Sequence, residues 1–86
     1  MQSLSNKAAK KKRLLTLRRS VATVIAASRR DADVTQEQLA ERLGWSRWKV
    51  AKMETGQSKI DLGELLLIAD ALKIDPEDLW RRVVRW

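Results

Sequence analysis

The chain is expected to be an all-helical domain, and three observations predict it. Leu, Ala and Val dominate the apolar residues while Tyr and Phe are absent, a composition that favours helix over sheet. Apolar side chains recur at three- and four-residue intervals, the period of a helix with one buried face. Thr, Ser and Asp stand where such segments would start, and Gly where two of them would stop, as helix caps require. At 86 residues there is room for one small domain with a modest core. No strand signal, repeat or low-complexity tract beyond "KKKR" interrupts the pattern.

Five helices follow in order. Residues 1–7 read as a flexible start, after which residues 8–30 contain no Gly or Pro. Leu14, Leu17, Val21, Val24 and Ser28 share one face there, with Ile25 beside it. "DADV" makes a polar turn. Thr35, with Gln38 three residues on, forms a T-x-x-Q capping box for a second helix; Leu39, Ala40 and Leu43 face inward, and Gly44 closes it in the left-handed conformation. Ser46 caps a third helix running to Thr55, with Trp45 and Val50 as a hydrophobic staple and Gly56 as the stop. Asp61 and Glu64 box the start of a fourth, "LGELLLIADALK". Asp75 followed by Pro76 opens a fifth, since Pro is tolerated in a first turn; it carries Leu79, Trp80, Val83 and Val84. Trp80 is expected in the core, between the first and fifth helices.

Charge narrows the function. The net charge is +7, unevenly spread. Residues 1–30 hold nine of the 18 cations and no acid, whereas nine cations meet all 11 acids from Asp31 onward, a net −2. A basic end on a mildly acidic body is an electrostatic footprint for a polyanion. The chain has no Cys and no His, so a disulfide framework, a zinc-thiolate site and the usual general base are all missing. With no nucleophile–base pair, metal cluster or phosphate loop, an enzyme reading is rejected, and no cofactor is expected. The basic start before "SVATVIAAS" imitates a signal peptide. Arg18 and Arg19 break its apolar region, however, and the run is too short to span a bilayer. A soluble cytoplasmic protein is expected.

Two short helices joined by "LGWS" form a helix-turn-helix, whose second helix is free to enter a major groove. "TQEQLAERLGWSRWKVAKMETGQ", followed by "LGELLLIADALKIDPEDLW", resembles the lambda-repressor-like DNA-binding domain of Cro/C1-type (Xre) transcriptional regulators. The resemblance covers residues 17–80, including the TQ-x-x-LA start, the central LG, the capping Ser and the E-x-G close. It implies five helices with the third, residues 47–55, as the recognition helix. The sequence departs from the family pattern at Trp45 and Trp48, commonly small or polar, and at Lys73, commonly Gly. It also adds a basic extension before Leu14. The expected organisation is a basic arm or helix extension over residues 1–13, the domain over 14–82 and an apolar tail over 83–86.

The resemblance implies base-edge contacts from Arg47, Trp48 and Lys52. Phosphate contacts are implied for Gln36, for Lys49 and for the loop residues Thr55, Gln57, Ser58 and Lys59. It also implies a structural ion pair between Arg29 and Glu54. Arg47 suits guanine, whose O6 and N7 it can contact together; the alternative is a solvated cation at a helix start, against the macrodipole. Trp48 either touches a thymine methyl or sugar edge, or folds back over Leu39 or Leu43. Lys52 follows on the same face, as a base contact or a solvated lysine. Lys10, Lys11 and Lys12 are expected to hold phosphates; a solvated helical face and an anionic membrane surface are the other readings. Val83, Val84 and Trp86 form the expected dimer interface, unless Trp86 packs back on its own domain. The expected function is a sequence-specific, double-stranded-DNA-binding regulator, bacterial or phage-encoded. It would be a homodimeric repressor or autoregulator on a palindromic operator. An antitoxin or adaptor-type protein-interaction module is the alternative.

Overall fold

The structure is a computed structural model describing residues 2–85. Five helices run in order, α1 (Gln2–Asp31), α2 (Gln36–Leu43), α3 (Arg47–Glu54), α4 (Leu62–Leu72) and α5 (Pro76–Val84), with no strand among the described residues. The expected caps are all present. Thr35 and Gln38 exchange side-chain to backbone hydrogen bonds at the start of α2, and Asp61 and Glu64 do the same at α4. Ser46 Oγ accepts from the Lys49 amide, and Asp75 Oδ1 from the Glu77 amide behind Pro76. Each cap satisfies amides that have no partner inside their own helix.

Gly44 takes φ 69°, and the Gly44 and Trp45 amides donate back to the last turn of α2. That left-handed residue makes the corner between α2 and α3 tight enough to form one unit. The core lies where all five helices meet. Ile25, Leu39, Val50, Ile68 and Leu79, one from each helix, are fully buried, and Val24, Val34, Met53, Leu65 and Leu72 fill the space around them.

Three expectations fail at the edges of this core. The first helix begins at Gln2 and not Ala8, because nothing in residues 2–7 breaks a helix once it is propagating. Leu14 and Leu17 share the inward face but are 47% and 44% exposed. Thirty residues of helix extend some 45 Å, further than the four shorter helices can cover, and the molecule measures 49 × 26 × 19 Å. Trp80 is 53% exposed. Leu79 and Val83, four apart, form the inward stripe of α5, and Trp80 lies a step of about 100° round from Leu79.

Lys73 is left-handed at φ 57°, ψ 40°, closing α4 where a Gly would be unstrained. A side chain in that conformation costs about 1 kcal/mol. Lys73→Gly should therefore raise stability by about that amount and Tm by roughly 4–8 °C in a thermal melt. An unchanged or lower Tm would show that Lys73 is stabilised there by contacts that offset its strain.

Candidate nucleic-acid interface

The candidate surface is built outward from a buried ion pair. Arg29, at the end of α1, donates from Nε to Glu54 Oε2 at 2.6 Å and from a terminal nitrogen to Glu54 Oε1 at 2.9 Å. Its other terminal nitrogen reaches the Val34 carbonyl at 2.8 Å. Gln36 Nε2 adds a bond to Glu54 Oε1 at 3.0 Å. The side chains of Arg29 and Glu54 are only 10% and 4% exposed, so the ion pair itself is nearly out of reach of water, and with the half-exposed Gln36 it joins the α1 end, the α2 start and the α3 end. Bidentate charge-assisted bonds of this kind are short and directional. They fix where α3 lies against α1.

Within that frame, Val50 and Met53 turn α3 into the core, and the opposite side stays open. Arg47, Trp48, Lys49 and Thr55 are exposed, and Lys52 is half-exposed. Trp48 is 69% exposed, with the Lys52 ammonium 4.3 Å from its ring centroid. The ring therefore stays on the open side and does not cover α2. The Arg47 guanidinium lies 3.6 Å from the Glu37 carboxylate, with both side chains at least two-thirds exposed.

Lys49 is placed differently from its neighbours. Its ammonium lies 4.1 Å from the Trp45 ring centroid and 3.4 Å from Glu64 Oε2, which draws it toward the start of α4. Trp45 is half-buried against the core, so the indole anchors the corner and carries the lysine on its outer face. Gln36 is likewise occupied by Glu54.

After α3 the chain turns at Gly56, φ 78°. A side-chain carbon there would come within 3.3 Å of Arg19 Cγ. Gly56 thus lets the loop lie directly on α1. That loop displays Thr55, Gln57 and Lys59 to solvent, with Ser58 half-buried. Beyond it Lys10, Lys11 and Lys12 are exposed on the free part of α1, separate from α3. Of the expected dimer residues, Val83 packs against its own core while Val84 is 58% exposed. Trp86 lies outside the described residues.

The helix-turn-helix family model matches residues 25–79. The chain belongs to the Cro/C1-type helix-turn-helix family. It is accordingly a DNA-binding transcriptional regulator. The restriction-modification controller protein C.AhdI from Aeromonas hydrophila is 31% identical, with a TM-score of 0.65 over 71% of this chain and 92% of its own. The clp gene regulator ClgR from C. glutamicum is 24% identical, with a TM-score of 0.74 over 79% of this chain and 88% of its own. The restriction-modification controller C.Esp1396I, crystallised as a tetramer with its natural 35 base-pair operator, is 23% identical. Its TM-score is 0.74, over 80% of this chain and 91% of its own. No curated protein matches the chain in sequence.

Two features of the surface escaped the sequence reading. Glu37 stands beside Arg47, a proximity set by the α2–α3 corner and carried by no motif. Leu62, Leu66 and Leu67 lie exposed on α4. A signal for these exists: "LGELLLI" has more leucines than one buried face can take.

The Arg29–Glu54 pair yields a stability prediction. Removing one partner of a buried pair strands the other charge and costs about 3–5 kcal/mol. Glu54→Ala should lower the urea midpoint strongly, whereas Glu77→Ala, which breaks the exposed pair with Arg81, should change it little. Equal small effects would mean that the buried pair does not organise the fold.

Proposed function

We propose that the protein is a sequence-specific, homodimeric repressor or autoregulator that lays α3 in the major groove of an operator. The observation that carries the reading is the division of α3 itself, with Val50 and Met53 inward and Arg47, Trp48 and Lys52 on the open side. In this reading Arg47 contacts guanine O6 and N7, Trp48 offers its ring to a thymine methyl or sugar edge, and Lys52 supports it from the next turn. The Gln36 end of α2 faces one phosphate, using helix-start amides. Thr55, Gln57, Ser58 and Lys59 follow the adjoining backbone, and Lys49 joins them by leaving Glu64. Lys10, Lys11 and Lys12 add contacts without sequence preference.

Two copies are required to read a palindrome. The surface that supports pairing is the groove between α4 and α5, of about 220 Å³, lined by Leu62, Leu65, Leu66, Leu79 and Trp80. Leu67 and Val84 are also exposed, at 51% and 58%. Apolar exposure on this scale in so small a domain marks a protein contact. The α4–α5 face is proposed here as an extension of the expected C-terminal cluster, with Val84 at its end. The same reading makes the protein cytoplasmic, associated with the nucleoid and non-catalytic. No helix among the described residues is long and apolar enough to cross a membrane.

Leu66→Glu should shift the protein to monomer in sedimentation velocity and weaken operator binding while leaving the helical spectrum unchanged. A dimer that survives this change excludes the α4–α5 face.

Reading and holding should separate in titrations at several salt concentrations. Arg47→Ala should cost about 1–3 kcal/mol on the selected operator and little on scrambled duplex. Neutralising Lys10, Lys11 and Lys12 should weaken both duplexes alike, and each lost phosphate contact should flatten the log K against log salt slope by about 0.9. Equal losses on both duplexes for Arg47→Ala would reduce that residue to a phosphate clamp.

A further inference from the structure

The starts of α2 and α3 and the end of α1 enclose an open cleft of about 380 Å³, lined by Arg29, Thr35, Gln36, Glu37 and Arg47. Its floor is electrically closed. Arg29 spends its charge on Glu54, and the same carboxylate takes the Gln36 amide. Only two charged groups remain at the rim, Glu37 and Arg47, 3.6 Å apart and 74% and 67% exposed.

An acid in the first turn of α2 is favoured by the helix dipole, and an exposed ion pair adds little stability. Neither effect calls for an acid on the surface that meets DNA. A phosphate placed on Arg47 would lie next to the Glu37 carboxylate and be repelled. What fits the rim is a partner with an acceptor and a donor side by side. A G·C pair offers that edge in the major groove, with guanine O6 and N7 as acceptors and cytosine N4 as donor. Because O6 and N4 hydrogen-bond each other across the pair, they lie about 3 Å apart, close to the Arg47–Glu37 spacing.

We propose that Glu37 and Arg47 read one G·C pair together, Arg47 donating to the guanine and the Glu37 carboxylate accepting from the N4 amino group of its cytosine. The assignment rests on the operator-binding reading above and adds Glu37 to it as a specificity-determining residue. In the free protein the two side chains satisfy each other, and on DNA they exchange that weak exposed contact for base contacts. The arrangement has a direction. Reversing the pair to C·G brings the amino group to the arginine, and A·T in the same orientation puts thymine O4 against the carboxylate.

The test uses the full chain and an operator selected from a random duplex pool, with N4-methylcytosine placed at each cytosine in turn. The methyl group occupies the position of the groove-facing N4 hydrogen. At the cytosine opposite the guanine that Arg47→Ala ceases to discriminate, wild-type affinity should fall about tenfold, within the range of one base contact. Glu37→Ala should bind methylated and unmethylated duplexes alike at that position. Glu37→Gln keeps the side chain's size and an acceptor oxygen, and it should retain part of the penalty. Melting curves of both variants should stay within a few degrees of wild type, because Glu37 is exposed and acts on stability only through the helix dipole and a weak exposed pair.

The proposal is overturned if Glu37→Ala suffers the methylation penalty as wild type does. It is also overturned if both variants tighten every duplex equally, which would make Glu37 only a repulsive charge. Failure of the wild type to select any sequence would overturn the operator-binding reading itself, a result distinct from selection that is indifferent to Glu37.

Discussion

The Arg29–Glu54 pair is the contact on which the rest of the architecture depends. It ties the longest helix to the end of the shortest pair of helices, and it does so with almost no access to water. Burying two charges is costly, and a well-packed apolar pair could be as stable. Its value here lies in direction. A guanidinium held at three nitrogens by a carboxylate and a carbonyl admits one orientation of α3 against α1. Every exposed residue of α3 inherits its position from that constraint. Gln36 inherits it too, because its amide closes on the same carboxylate. One helix start and two helix ends are thereby held in one rigid frame.

Outside that frame, the surface balances charge locally. Lys49 is drawn to Glu64 and Trp45, Arg47 to Glu37, and Arg81 to Glu77. Such exposed pairs are weak, so they exchange readily for phosphate or base partners. The strong positive excess lies elsewhere, on α1 before Asp31. In the proposed function, reading and attraction are thus separated in space, with a nearly neutral patch discriminating by hydrogen-bond pattern and a distant basic segment supplying attraction that is blind to sequence.

The fold was legible in the sequence wherever a local rule acts. Caps at Thr35, Ser46, Asp61 and Asp75, the left-handed Gly44 and the inward stripes of α2 and α3 depend on residues within four positions of one another, and all appear as expected. Trp80, Leu14 and Leu17 were misjudged for a single reason. Helical spacing says which residues share a face, but not whether another element covers it. The α4 surplus of leucines and the Glu37–Arg47 proximity are also tertiary facts, since each arises from how one helix is set against the next. For the site, the α3 residues were readable because a helix with a known inward stripe leaves its outer face determined. The capture of Lys49 by Glu64 was not, because those residues are fifteen positions apart.

The uncovered stretch of α1 has a consequence for how partners are found. From Lys7 to Arg18 the helix holds six cations over roughly 17 Å. Around a compact surface at physiological ionic strength, counter-ions blunt the field within about 8 Å. A stiff rod twice that long carries its charge out through its own body's screening cloud. It meets a distant polyanion while the domain is still electrically hidden from it. In the proposed function the helix therefore widens the target for collision, and because it is rigid it gives each collision a preferred attitude. Its contribution in that role belongs to the speed and orientation of arrival, where a flexible tail of the same composition would sweep a larger volume with no orientation at all.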